Sequence, residues 1–263
     1  PDTPGWKVRV VSNKFPALQI EGELNKRARG IYDIMSGVGA HEVFIETPDH
    51  YKTISTIPFD NMCNVMRMYR DRIGDLEQDK RFQYILVFRN SGQAAGASLR
   101  HPHSQLIATP TIPKRIMEEL IGVRRYYDFK DRCVFCDMVD EERNYGRRIV
   151  CENDSFISFT PFAARFPFEC WILPKEHQPC FKTMTDDARR YAEIRKRAAV
   201  FSIDKEYAIF PDKNQTTADV PTTGDQGDHS VPLICVGTPR IPGKEIKSWS
   251  VGTDPEHIGG SVV

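Results

Sequence analysis

The residues best suited to chemistry lie in segment 89–110, RNSGQAAGASLRHPHSQLIATP. A loop rich in glycine and alanine leads into His101, His103 and Gln105, and an apolar strand follows. Small residues let a backbone approach a phosphate closely and direct N–H groups at it. Because alternate side chains of an extended segment share a face, we expect His101, His103 and Gln105 on one face.

This arrangement suits phosphoryl chemistry. Neutral imidazole is a competent nucleophile near neutral pH, so His103 is the candidate to attack a phosphate lying over the loop. We expect Gln105 to donate an amide hydrogen bond to a phosphoryl oxygen, which stabilises charge without adding a second base. A pair of structural or metal-binding histidines is the alternative for a His-x-His motif, and the glycine-rich loop favours the catalytic interpretation.

A metal site is the second candidate. Tetrahedral zinc prefers four Cys or His ligands, and Cys133 and Cys136 have the spacing of one half of such a site. His177 and His229 are the distant histidines that best complete it. Taken alone, the Cys-x-x-Cys pair is also compatible with two core cysteines or a redox pair.

An internal repeat predicts the elements that position these residues. Residues 7–18 (KVRVVSNKFPAL) resemble 147–160, with Asn13 matching Asn153, and EVFIETPDH resembles ECWILPKEH further along. HPHSQLIATP is echoed more loosely by HSVPLICVGTP. Three matches in the same order favour duplication of one α+β unit. We therefore expect two units, at 1–125 and 126–263.

Periodicity predicts the main elements of each unit. An amphipathic helix is expected over 59–80 and another over 185–200, where Asp186 and Asp187 suit a helix N-terminus. A strand is expected over 82–90. The polar, glycine- and threonine-rich residues 211–228 predict a mobile loop.

Composition excludes several classes of protein. The 263 residues include 36 Lys+Arg and 36 Asp+Glu, and a zero net charge argues against nonspecific nucleic-acid binding by a basic surface. No run approaches about 18 apolar residues, so no membrane span is expected. The N-terminus lacks a signal-peptide pattern. Seven irregularly spaced cysteines favour a reducing, cytoplasmic location over a disulfide scaffold.

At these motifs the sequence resembles the galactose-1-phosphate uridylyltransferase family of the histidine-triad superfamily. The resemblance covers residues 6–200 and is carried by N-x-G-x-x-x-G-x-S before HPHSQ, by SNKFPAL, by ETPDHYKT, and by PFAARFPFE with PKEH after it. It implies two histidine-triad-like α+β units of antiparallel sheet with flanking helices, assembled as a homodimer. Hydrolases of the superfamily usually carry a third histidine where Gln105 stands, so the glutamine indicates transfer.

The resemblance also implies a ping-pong reaction. UMP passes from a nucleotide sugar, UDP-glucose, to a sugar 1-phosphate, galactose 1-phosphate, through a nucleotidyl intermediate on His103. Gln105 and Ser98 would contact phosphoryl oxygens. The nucleotide- and phosphate-binding residues that this implies are Asn13, Phe15, Asn90, Gly92 and Ser98. A strand-end or turn role is the alternative for these positions, and for Asn13 and Phe15 both interpretations stay open.

Two other functions stay open. One is phosphorolysis of a nucleotide sugar, as in ADP-glucose phosphorylases, which resemble this chain at the same motifs and use inorganic phosphate as the acceptor. The other is a non-catalytic, zinc-containing nucleotide-binding module.

The resemblance implies a further zinc site with His50 and His101 as ligands. Its Cys-x-x-Cys pair normally lies upstream of the segment that matches 6–18, whereas here only PDTPG precedes that segment. The chain starts without Met, so either a preceding segment supplies the pair or the site is incomplete. His41 and His257 are predicted to be plain surface residues, and Cys63 a core residue.

Overall fold

The computed structural model describes residues 4–90, 99–164, 169–178, 180–183, 188–204 and 235–236. Helices and antiparallel sheets alternate along the chain, which confirms the predicted α+β class. In chain order the elements are β1 (Arg9–Ser12), β2 (Arg27–Arg29), β3 (Tyr32–Ile34), β4 (Ala40–Ile45), α1 (Phe59–Leu76), β5 (Tyr84–Phe88), β6 (His103–Thr109), α2 (Lys114–Lys130), α3 (Val134–Tyr145), β7 (Ile149–Glu152), β8 (Phe156–Phe159), β9 (Trp171–Pro174), a 3₁₀ turn (Phe181–Thr183), α4 (Ala188–Asp204) and β10 (Cys235–Val236).

Helix α1 covers one face of the larger sheet. Its apolar residues recur every three or four positions, which places them on one side of the helix. It begins directly after Pro58 and carries Asp60 in its first turn, where a negative charge is favourable. It ends at Leu76, four residues before the predicted end. The buried apolar residues of this face are Met62, Cys63, Val65, Met66, Tyr69, Ile73 and Leu76.

The larger sheet has five antiparallel strands in the order β1-β4-β6-β5-β10. Strand β6 lies at its centre, and its residues alternate between two faces. Ser104, Leu106 and Ala108 are buried on the face that packs against α1. His103 and Gln105 lie on the other face, opposite Ile45 and Val43 of β4. The fold therefore presents the predicted catalytic pair on the face away from α1.

The smaller sheet has three antiparallel strands in the order β7-β8-β9. Strand β8 is buried along its whole length. Helix α4 joins this sheet to the larger one, because its Tyr191, Ala192 and Ile194 belong to the same core cluster as α1 and β6. Helix α3 packs Val139 against Ile157 and the other side of the small sheet in a separate apolar cluster.

The helices α2 and α3 are additions that the sequence did not predict. The apolar residues of α2 do recur at helical spacing, as at Ile116, Leu120 and Val123, but none of its residues is fully buried. Residue 125, the proposed division between the two units, lies within α2, and that division stays a prediction. Asp186, Asp187, His257 and the loop predicted over 211–228 lie outside the described residues.

Most cysteines of the chain are thiols, and the described helices are not membrane spans. Cys63 is buried on α1, as predicted. Six of the cysteines are present as reduced thiols: Cys63, Cys133, Cys136, Cys151, Cys170 and Cys180. Within the described ranges, every helix is too short or too polar to traverse a bilayer.

Candidate active site and metal centres

His103 opens strand β6 and is only 6% exposed. Its Nδ1 lies 2.8 Å from the backbone oxygen of His101. Because a carbonyl oxygen can only accept, Nδ1 carries the ring proton and donates it. In the neutral ring, Nε2 then holds the lone pair. The hydrogen bond thus fixes both the ring orientation and the tautomer that leaves Nε2 available as a nucleophile.

Gln105 lies two residues further along the same face and contacts His41 of β4. The Oε1 of Gln105 is 2.9 Å from Nε2 of His41. The Nε2 atom is also 3.0 Å from Nδ2 of Asn13, and the His41 Nδ1 accepts a hydrogen bond from the Ala17 N–H at 3.1 Å. The prediction that His41 is a plain surface residue is wrong, because β4 places it half-buried within this network.

Residues 13–19 form a strap beside the start of β4. At one end the Asn13 N–H donates to the His41 carbonyl, and at the other Gln19 exchanges backbone hydrogen bonds with Gly37 and Gly39. A Cβ on Gly39 would lie 2.4 Å from the Ala108 oxygen, so glycine is required for this close approach. The strap is therefore held at both ends, and it brings Asn13 and Ala17 to the ring of His41.

The other predicted nucleotide-binding residues are placed differently. The Phe15 ring is 81% exposed at the strap. Asn90 is half-buried just beyond the end of β5. Gly92 and Ser98 fall within 91–98, outside the described residues. The structure therefore brings Asn13 and Gln105 together through His41, whereas Phe15 projects from the same segment without packing against that cluster.

A buried polar network lies beneath strand β6. The Tyr69 hydroxyl contacts both the Ser104 hydroxyl and the Glu46 carboxylate, and the Arg89 Nε donates to that carboxylate at 3.2 Å. Asn61 donates to the Glu46 backbone oxygen. Burial raises the pKa of Tyr69, so the phenol stays protonated and can donate. The network thus connects Ser104, which follows His103, to Arg89, which precedes Asn90.

Sequence patterns only partly predict the roles of His41, Glu46 and Arg89. The alternation in AHEVFIE places His41 in register with Val43 and Ile45, which is a site-face position once β4 pairs with β6. That pairing joins residues 58 or more positions apart, and it is not visible in the sequence. Glu46 and Arg89 are charged residues at strand ends, where exposure is the ordinary expectation.

His50 and His101 lie side by side at the start of β6. Their Nδ1 atoms are 2.9 Å apart, and the rings meet edge to face. The His101 Nε2 donates to the Thr47 carbonyl at 2.6 Å, which leaves its Nδ1 lone pair facing His50. The donor set and its supporting hydrogen bond fit zinc coordination. Among the residues that the structure describes, no third Cys, His, Asp or Glu joins this pair.

Cys133, Cys136 and His177 form the second cluster, with ligand atoms all within 4.8 Å of one another. Cys136 lies in the first turn of α3, and its Sγ is 3.3 Å from Nδ1 of His177. Burial, with a smaller contribution from Cys133, raises the pKa of Cys136 to about 11. A bound cation reverses that effect by stabilising the thiolate. These three donors fit zinc, and His229 lies outside the described residues.

The sequence of this chain is similar to proteins of one family. The family model described as the N-terminal domain of galactose-1-phosphate uridyl transferase matches residues 6–113. An ADP-glucose phosphorylase of Arabidopsis thaliana is 35% identical over 185 residues, which cover 70% of this chain and 51% of that protein. A galactose-1-phosphate uridylyltransferase of Thermotoga maritima is 32% identical over 186 residues, covering 70% and 58%.

Solved structures give the same fold. A uridylyltransferase structure matches with a TM-score of 0.70 at 29% identity, covering 78% of this chain and 65% of that one. The Arabidopsis thaliana ADP-glucose phosphorylase with bound ADP-glucose matches with a TM-score of 0.67 at 32% identity, covering 78% and 62%. Fold and sequence thus place this chain among the same relatives, uridylyltransferases and an ADP-glucose phosphorylase. The chain belongs to the galactose-1-phosphate uridylyltransferase family. It spans about half the length of the curated relatives it matches.

Proposed function

We propose that this chain transfers UMP from UDP-glucose to galactose 1-phosphate through a nucleotidyl intermediate on His103. The observation that carries the proposal is the hydrogen bond from the His103 Nδ1–H to the His101 carbonyl. It leaves the Nε2 lone pair available for attack and gives the charged ring of the intermediate an acceptor for its proton.

In the first half-reaction the His103 Nε2 attacks the α-phosphorus, and an N–P bond forms. The bond from that phosphorus to the bridging oxygen breaks, and glucose 1-phosphate leaves with the electron pair. In the second half-reaction a phosphate oxygen of galactose 1-phosphate attacks the same phosphorus, and the N–P bond breaks. UDP-galactose leaves, and His103 regains its lone pair.

Other residues bind and orient the substrate in this proposal. Gln105 donates its amide N–H to the phosphoryl oxygen on which charge develops, and Ser98 and the Gly92 loop supply further donors. Asn13, Phe15 and Asn90 line the nucleotide site. The location of Asn13 beside His41 supports this arrangement, because it lies on the same face as Gln105.

A second candidate is phosphorolysis of ADP-glucose, with inorganic phosphate as the acceptor of AMP. The 35% identity to the Arabidopsis thaliana ADP-glucose phosphorylase favours it. Both reactions share the first half-reaction on His103 and differ in the nucleotide and in the second acceptor.

The experiment uses UDP-glucose and ADP-glucose labelled at the α-phosphate. Acid-labile, alkali-stable label on the wild-type protein, absent from His103→Asn, supports a nucleotidyl-histidine intermediate. Chase of that label with galactose 1-phosphate or with inorganic phosphate then distinguishes transfer from phosphorolysis. Failure of both nucleotide sugars to label the protein would leave the non-catalytic nucleotide-binding module as the better account.

We also propose that zinc binds the two clusters. Cys133, Cys136 and His177, with His229, would hold one ion, and His50 with His101 would contribute to another. Zinc bound by Cys133, Cys136 and His177 would tie the start of α3 to the segment after β9. Metal analysis should show that Cys133→Ser loses about one equivalent of zinc, whereas Cys180→Ser, outside the cluster, retains it. Equal zinc in both variants would contradict the assignment.

The resemblance further supports a homodimer. The face that bears His103 and Gln105 also carries apolar residues that are not fully covered, including Val11 at 38% exposure and the half-buried Val43 and Ile45. Sedimentation equilibrium should give twice the chain mass, and a monomer at micromolar concentration would contradict the proposal.

A further inference from the structure

The tautomer of His41 follows from its backbone partner. The Ala17 N–H donates to the His41 Nδ1 at 3.1 Å. Since a backbone N–H can only donate, Nδ1 must hold a lone pair, and the single proton of the neutral ring must lie on Nε2. The strap that carries Ala17 is held by backbone hydrogen bonds at both ends, so this partner is fixed.

The ring proton has one acceptor among the described residues. The Gln105 Oε1 lies 2.9 Å from the His41 Nε2 and accepts it. Asn13 offers no second acceptor, because its Oδ1 already accepts the Phe15 N–H at 2.9 Å. Its Nδ2 lies 3.0 Å from the His41 Nε2 but is itself a donor, so it forms no hydrogen bond with the Nε2–H. The orientation of the Gln105 amide is therefore dictated by His41, with its carbonyl oxygen toward that ring.

The strand register shows on which side of Gln105 its NH₂ group lies. On the site face, His41 is opposite Ile107, Gln105 is opposite Val43, and His103 is opposite Ile45. Gln105 thus lies between the two histidines along the strands. With its Oε1 held toward His41, its NH₂ group is held on the opposite side, which is the side of His103.

We propose that His41 is a positioning residue that locks the Gln105 amide with its N–H donors toward the phosphoryl group transferred at His103. The proposal rests on the proposed function, because it assigns His41 a part in that same site. Without His41, the amide can turn over and present its carbonyl oxygen to an anionic phosphoryl oxygen, which repels it.

The kinetic test is a double-mutant cycle on the rate of nucleotidyl labelling. Gln105→Ala removes the donor, and the maximal labelling rate should fall about 100- to 1,000-fold. His41→Ala only frees its orientation, and the rate should fall about 10- to 100-fold with little change in half-saturating concentration. Because His41 acts through Gln105, the double variant should be within about twofold of Gln105→Ala alone. Gln78→Ala, an exposed glutamine after α1, is the matched control and should label normally.

Multiplicative losses in the double variant would overturn the proposal, since His41 would then act independently of Gln105. Nitrogen-15 NMR of the His41 ring separates this result from a failure of the proposed function. The wild-type ring should be protonated at Nε2, and that N–H should exchange faster with water in Gln105→Ala. A ring proton on Nδ1 would overturn the proposal whether or not the protein is labelled by any nucleotide sugar.

Discussion

Asn13 and Asn153 occupy matching positions in the two copies of the predicted repeat, and both use the side-chain oxygen in the same way. The Asn13 Oδ1 accepts the Phe15 N–H, and the Asn153 Oδ1 accepts the N–H groups of Ser155 and Phe156. These local turns are the expected behaviour of asparagine before a strand or strap. The side-chain NH₂ groups are where the copies differ.

In the first copy the NH₂ group of Asn13 faces the ring of His41 on the site face of the sheet. In the second copy the Asn153 NH₂ donates to the Arg190 carbonyl and to the Glu193 carboxylate of α4. The same residue therefore serves a candidate binding surface in one copy and helix docking in the other. Matching asparagines can thus keep the same local turn while their NH₂ groups face different surroundings.

The histidines that end the matched EVFIETPDH and ECWILPKEH segments differ in the same manner. His50 lies beside His101 at the start of β6, whereas His177 lies beside Cys133 and Cys136. Both segments place a histidine just after a strand. What each histidine contacts depends on the element that packs next to it, β6 in the first copy and α3 in the second.

The largest expected effect concerns His103, the proposed nucleophile. His103→Asn should lower the rate of nucleotidyl transfer by about 10⁴-fold or more, because the attacking nitrogen is lost. His177→Asn, in the second copy, should mainly lower zinc content. Radiolabelling with nucleotide sugars and metal analysis of both variants check this division. Comparable loss of labelling in a folded, zinc-free His177→Asn protein would break the contrast.

The buried ion pair of the first copy should matter more to stability than its counterpart near the second sheet. Glu46→Gln leaves Arg89 buried without its charge partner and should lower the free energy of unfolding by about 3–5 kcal/mol. Glu142→Gln should cost less, because Arg148 remains 21% exposed and can regain water. Urea denaturation of the two isosteric variants measures both changes. Equal losses would show that burial does not distinguish the pairs.

The strap at residues 13–19 can lie close to β4 because Gly39 has no side chain. Gly39→Ala should lower the free energy of unfolding by about 1–3 kcal/mol, because its Cβ would meet the Ala108 oxygen and Leu18. Gly37→Ala is the matched control, since its Cβ would meet only Leu18, at 3.8 Å. Thermal unfolding compares them. A Gly39→Ala protein as stable as Gly37→Ala would show that the strap can move away without cost.

The smallest effects are expected at the two asparagines, and they test the comparison directly. Asn153→Ala should lower the free energy of unfolding by about 1–3 kcal/mol, because several hydrogen bonds to α4 and the turn are lost. Asn13→Ala should cost less stability, about 0.5–1 kcal/mol, and should weaken nucleotide-sugar binding. Chemical denaturation and labelling at varied substrate concentration measure the two quantities. A reversed pattern would contradict the assignment of roles.

Several elements could be predicted because their causes are local. The spacing of Met62, Met66, Tyr69 and Ile73 predicts α1, and its buried face confirms it. The apolar run Tyr84–Phe88 predicts β5 within the expected 82–90. The helix expected over 185–200 is found at Ala188–Asp204. Helix α2 was not predicted, although its Ile116, Leu120 and Val123 recur at helical spacing.

The site residues also fall into two groups, those that a local pattern predicts and those that only strand pairing brings together. His103 and Gln105 share a face because both lie on one strand, and alternation is a property of the strand itself. His41 joins them only through pairing of β4 with β6, and Ala17 reaches His41 only because Gly39 permits a close approach. Both contacts join residues that are far apart in the chain, so local sequence patterns do not predict them.

The sequence by itself determined the α+β class, the family, and the strand that bears the candidate nucleophile, since each depends on residue types and spacing within short segments. Only the tertiary structure decided which tautomer His103 and His41 adopt, that Cys133, Cys136 and His177 meet, and that Asn13 and Asn153 diverge in their contacts. The physical reason is that hydrogen-bond partners and metal ligands are set by distances in space, and chain folding creates those distances.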